Sequence, residues 1–149
     1  MASYTNVVVG TDGSKSSFRA VERAASIAGD AGATLHLVSA YRPLPAKDRR
    51  RAAEELGDLA YKVSGATPAE DALGEAEGVA QKAGAKKLEK HALEGDPVDV
   101  LIDACKDFKA DLLIIGNRGL NSLSGRILGS VPQNVSHRAA VDVLIVHTT

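Results

Sequence analysis

Apolar residues fall in short unbroken runs, separated by longer stretches where they recur every three or four positions. Between Thr5 and Gly10 stand Val7, Val8 and Val9, a β-branched run that predicts a buried strand. The turn Gly10-Thr11-Asp12-Gly13 ends it, and Ser14 is a suitable N-cap for a helix whose apolar face carries Phe18, Val21, Ala25 and Ala28. Gly29 to Gly32 is expected to end that helix. Leu35 to Ala40 reads as a second strand, in which His36 is a structural or partly exposed histidine rather than a catalytic one. Thr67, Pro68 and Glu70 make a capping-box start, with Pro at the first helical position, for a helix striped by Ala69, Leu73, Ala76, Ala80 and Ala83 and ended by Gly84. Lys87 to Leu93 is a third strand; Lys87, Glu89, Lys90 and His91 assign it to a sheet edge, where charge discourages stray pairing. Asp96 and Pro97 begin a helix through Val98, Leu101, Ile102 and Cys105 that ends before Asp111. Leu112 to Ile115 is apolar on both faces, as a central parallel strand must be. A helix from Ser130 to Ala139, with His137 and Arg138 at its C-terminal end, and a strand from Val141 to His147 follow.

The resulting order, β-α-β-α-β-α-β-α-β, predicts an α/β fold with a parallel sheet and helices on both faces, in one domain over residues 1–149. From Arg42 to Ala66 the periodicity weakens, leaving a long connection with room for one short helix between Ala46 and Tyr61. The basic run Lys47 to Arg51 within it reads as a solvated face.

Composition narrows the function. A chain of 149 residues can bury roughly 68–70% of its unfolded surface in one core. A net charge of −1 supplies no drive toward nucleic acid or an anionic membrane, and 3% aromatic residues with no Trp offer no base-stacking platform. A single cysteine excludes an internal disulfide, and Cys105, at helical spacing from Val98, Leu101 and Ile102, is core filler. Neither a leader nor a long apolar span is visible, so the cytoplasm is the expected location. The four histidines and one cysteine show no metal-ligand spacing. The P-loop, the Gly-x-Gly-x-x-Gly fingerprint and the Gly-x-Ser-x-Gly elbow are all missing, which removes those NTPase, dinucleotide-binding and hydrolase classes.

What remains is a glycine-rich cradle at strand ends. Gly116 and Gly119, nine residues, then Gly129, Ser130 and Val131 set flexible backbone and a helix start where an anion can approach. If the first and fourth strands are neighbours, this segment faces Gly10 to Gly13 across one crevice. Arg118 offers a charge-assisted partner for phosphate, and the Ser130 hydroxyl a further donor. Asp12 is assigned to ribose hydroxyls or to Mg²⁺ carried in on phosphates, because the turn has no other evident need for the acid.

Val7-Val8-Val9-Gly10-Thr11-Asp12-Gly13-Ser14, Gly116-x-x-Gly119-x9-Gly129-Ser130-Val131 and Val143-Leu144-Ile145-Val146 together resemble the universal stress protein family over almost the whole chain. The resemblance implies a three-layer, open, five-stranded parallel sheet of order 3-2-1-4-5 and a homodimer joined through the last strand, Val141 to His147. It also implies adenine recognition by backbone around Ser39 and Ala40, with ATP or cyclic AMP as ligand and Mg²⁺ accompanying ATP. An intact cradle without an evident base to activate water points to a nucleotide sensor or reservoir in stress response rather than an efficient enzyme. A slow Mg-dependent ATPase or autophosphorylating protein, and a ligand-free dimeric interaction module, are the alternatives.

Overall fold

The computed structural model describes residues 3–42, 67–117 and 130–148. The short helix and basic run expected between Arg42 and Ala66 lie outside the described residues, apart from Arg42 itself. Five strands, β1 (Asn6–Gly10), β2 (Thr34–Tyr41), β3 (Lys87–Glu94), β4 (Leu112–Gly116) and β5 (Asp142–Val146), alternate with four described helices. The helices are α1 (Lys15–Ala31), α2 (Thr67–Lys82), α3 (Pro97–Asp107) and α4 (Ser130–Arg138). The sheet order is β3-β2-β1-β4-β5 and every pairing is parallel, as the resemblance implied.

Each parallel connection has to cross over through a helix, and the helices divide between the two faces. On one face Val7, Val9, Leu35, Leu37, Leu112 and Ile114 pack against α1 and α2. On the other, Val8, Val38, Leu113 and Ile115 pack against α3 and α4. Side chains alternate along a strand, so one unbroken apolar run feeds both layers; Val7, Val8 and Val9 are all fully buried. β3 pairs only with β2 among the described residues, and Lys87, Glu89 and Lys90 are exposed on it. The edge assignment follows from that charge.

α1 ends within the expected Gly29 to Gly32 stretch: it runs to Ala31 and is capped by Gly32, whose N–H donates to the Ala28 and Gly29 carbonyls and whose φ of 69° lets Ala33 N donate back to Ala28 O at 2.9 Å. Gly29 is glycine for another reason: a Cβ there would lie 2.3 Å from the Gly84 carbonyl oxygen, at the turn between α2 and β3. One helix start differs from the sequence expectation: among the described residues α2 already includes Thr67, so Pro68 follows a helical residue, still within the turn where a missing N–H costs nothing. Ser14 and Asp96 cap α1 and α3 as expected, accepting from Ser17 N at 3.1 Å and Val98 N at 3.0 Å.

His36 and Cys105 are both buried. Desolvation is the first cause of a lowered His36 pKa, with the His91 charge acting the same way and Glu89 opposing both. Burial pushes the Cys105 thiol up to about 11, which leaves almost no thiolate at neutral pH.

Two outcomes test this packing. Gly29→Ala is expected to lower stability by about 1–3 kcal/mol through overpacking, despite alanine's better helix propensity, whereas Gly74→Ala, in α2 with open space around it, should raise stability by about 0.4–1 kcal/mol. Denaturant unfolding of both variants measures the contrast. Cys105 should resist a thiol reagent at neutral pH in the native protein and react fully once guanidinium has unfolded it.

Candidate nucleotide cleft

Strand order reverses between β1 and β4, and a cleft of about 110 Å³ opens there, beyond the carboxyl ends of the strands. Gly10, Thr11 and Asp12 leave β1, Val38 and Ala40 end β2, Ile115 and Gly116 end β4, and Thr148 follows β5. Pro97 and Leu101 of α3 and Val131 and Pro132 of α4 supply apolar walls. Of the two turns anticipated as partners, the described residues Gly10, Thr11 and Asp12 of the first and Gly116 of the second line the same crevice.

The β1 turn is held by a chain of hydrogen bonds. Thr11 N donates to the Val38 carbonyl at 2.9 Å, extending the β1–β2 contact one residue past the ladder. The Ser17 hydroxyl donates to Ser14 O at 2.8 Å, so at 2.7 Å it accepts from the Thr11 hydroxyl, which in turn accepts from Gly13 N at 3.1 Å. Gly13 takes a φ of 85°, which suits glycine. Asp12 Oδ1 accepts from Ser14 N at 2.9 Å, an Asx turn. The expectation that the turn had no need of the acid is therefore corrected: Asp12 has a local role as well as a place on the cleft wall. Asp12 is exposed and is the only ionisable side chain among the described cleft residues.

On the β4 side, Asn117 fastens the end of β5 across the cleft floor. Its N–H donates to the Val146 carbonyl at 2.9 Å, and its Oδ1 accepts from both the N–H and the hydroxyl of Thr148, each at 2.9 Å. Thr148 Cγ2 would then lie 3.1 Å from a Cβ at Gly116, so glycine keeps that floor open. Ion pairs tie the rim: Arg42 to Asp96 at 2.6 Å, and Arg138 to Asp99 at 2.7 Å, joining α4 to α3.

Of the residues anticipated from sequence, Gly10, Thr11, Asp12, Ala40, Gly116 and Val131 line the cleft. Strand alternation turns the buried Ser39 side chain to the opposite face, leaving only its backbone near the cleft. Ser130 is the exposed first residue of α4 and is not part of the wall. Arg118, Gly119 and Gly129 lie outside the described residues. Sequence reading passed over Ser17, Val38, Pro97, Leu101, Ile115, Pro132, Asn117 and Thr148. Most of these read simply as core; Asn117, a polar residue directly after a fully buried strand, carried a usable signal.

A model of the universal stress protein family matches residues 3–147. The chain belongs to this family. A universal stress protein of Mycobacterium tuberculosis (strain H37Rv) is 55% identical over 149 residues, covering all of both chains. Among solved universal stress protein structures, one in complex with cAMP is 43% identical, with a TM-score of 0.78 over 99% of this chain and 100% of that one. Another, from Lactobacillus plantarum, is 25% identical, with a TM-score of 0.78 over 98% and 99% of the two chains. The five-stranded parallel order seen here is thus a universal stress protein fold.

The Asn117 clasp is testable by unfolding. Asn117→Ala removes the acceptor of two buried Thr148 donors and is expected to cost about 1–3 kcal/mol, read from the denaturation midpoint at an unchanged m-value.

Proposed function

We propose that this universal stress protein binds an adenine nucleotide in the cleft and acts as a sensor or reservoir of it, with cyclic AMP the first candidate and ATP the second. The observation that carries the reading is the cleft's division of chemistry. Val38, Ala40, Pro97 and Leu101 give apolar surface suited to a flat base, and Thr11, Asp12 and the Gly116 backbone give a polar side suited to ribose and phosphate. Recognition of the adenine edge would fall to backbone near Ser39 and Ala40. Arg118, Gly119, Gly129 and Ser130 would complete a phosphate cradle with Val131. Likeness to the cAMP-bound relative favours cyclic AMP. With ATP, Asp12 would meet Mg²⁺ only as an ion already held by phosphates.

The same reading extends to a homodimer through the last strand. β5 pairs only with β4 among the described residues, and Val143, Leu144 and Ile145 are half-buried along it. A second copy laid against that strand would cover this apolar edge.

Calorimetric titration of nucleotide-stripped protein tests the binding. Saturable, stoichiometric uptake of cyclic AMP is expected, and Asp12→Ala should weaken it about tenfold or more through loss of a charge-assisted hydrogen bond. Ala40→Phe, which fills the base side, should abolish it. Absence of uptake with both cyclic AMP and Mg-ATP would overturn the proposal.

A further inference from the structure

His36, Glu89 and His91 are far apart in the chain, yet strand pairing gathers them on one sheet face. The register sets Glu89 beside His36 and His91 beside Val38, and alternation turns Glu89 and His91 the same way. Phe108, just past α3, stacks on both imidazoles, with ring centroids 4.9 Å from His36 and 4.0 Å from His91.

Their donor atoms converge. His36 Nδ1 lies 3.1 Å from His91 Nε2 and 3.3 Å from Glu89 Oε2, and donor atoms of all three residues lie within 4.8 Å of one another. The other His36 nitrogen, Nε2, is 3.1 Å from the Asn6 amide oxygen, which can only accept. Nε2 therefore carries the hydrogen, and Nδ1 turns a lone pair toward a carboxylate and a second imidazole. In the metal-free protein His91 Nε2–H can donate to that lone pair, and a cation can take the place of the proton.

The spacing suits the cation. Ligands about 2.0–2.1 Å from a tetrahedral Zn²⁺ stand about 3.3–3.4 Å apart, close to the two separations measured from His36 Nδ1. We propose that His36 Nδ1, His91 Nε2 and the Glu89 carboxylate form a Zn²⁺ site, with water as the fourth ligand. Two imidazoles and one carboxylate are a zinc donor set, whereas Mg²⁺ and Ca²⁺ favour oxygen alone. The His36 side chain is 5% exposed and that of Glu89 56%, so the open position faces solvent and gives the ion a way in. Glu89 is the most exposed of the three, so its carboxylate has room to turn onto the ion and close the third edge. Asn6 serves as the outer partner that fixes the His36 tautomer, and Phe108 fixes the ring planes. The ion would clamp edge strand β3 to β2, on the same sheet face as the cleft residue Val38.

Metal-stripped protein is titrated with Zn²⁺ by calorimetry and melted with and without the ion. Uptake of one equivalent with micromolar or tighter affinity is expected, together with a raised Tm. Co²⁺ in place of Zn²⁺ should give the intense visible absorption of tetrahedral coordination. His91→Ala, at a half-buried position, and Glu89→Gln, at an exposed one, should each weaken binding at least about tenfold, and Asn6→Ala about 10–100-fold. His137→Ala, at an exposed histidine elsewhere, should leave Zn²⁺ affinity unchanged, and His91→Ala should leave cyclic AMP titration unchanged. No saturable Zn²⁺ uptake, or uptake that survives His91→Ala combined with Glu89→Gln, overturns the site.

Discussion

The structure depends on β1 having a parallel neighbour on each side. Val7, Val8 and Val9 pair with β2 along one edge and β4 along the other, so the chain must leave β1 in one direction and later return past it in the other. Right-handed crossovers turn that reversal into a change of face: α1 and α2 cover one side of the sheet, α3 and α4 the other. Where the two sets of connections part, no helix can roof the strand ends, and the cleft is what is left.

Around that opening, small residues and short polar bonds maintain the shape. Thr11 N reaches the Val38 carbonyl, the Thr11–Ser17–Ser14 hydroxyl relay anchors the turn to α1, and Asn117 pins Thr148 against Gly116. These groups use backbone and neutral side chains, so the floor is rigid without a buried charge that would need its own counter-ion. Asp12 brings the single ionised group of the described wall to the exposed rim, where holding a carboxylate costs little. Binding at such a rim demands no reorganisation of the core beneath it.

The two sheet edges solve opposite problems. β3 carries Lys87, Glu89 and Lys90 outward, while Val143, Leu144 and Ile145 of β5 remain half-buried. Charge protects the first edge from adventitious pairing, and apolar surface leaves the second suited to a partner strand. The polar character of β3 also concentrates His91 and Glu89 beside the buried His36, where they acquire a geometry that neither would have alone.

Much of this was legible in the chain itself. The runs Val7 to Val9 and Leu112 to Ile115, too hydrophobic for a wet face, had to be central strands, and the charged β3 had to be an edge, because burial and charge oppose each other whatever the topology. The strand order and nucleotide reading rested on Gly10-Thr11-Asp12-Gly13 and the Gly116 to Val131 spacing, whose pattern resembles a family. Tertiary structure decided what depends on a neighbour remote in sequence. The stop at Gly29 to Gly32 was legible, but not that Gly29 is also held to glycine by the Gly84 carbonyl; alternation decides that Ser39 can offer the cleft only backbone; Asn117 and Thr148 meet only when β4 and β5 lie side by side. The four histidines showed no ligand spacing because spacing along a chain says nothing of residues aligned across strands. Local pattern reports burial and turn chemistry, while register alone reports which distant side chains share a site.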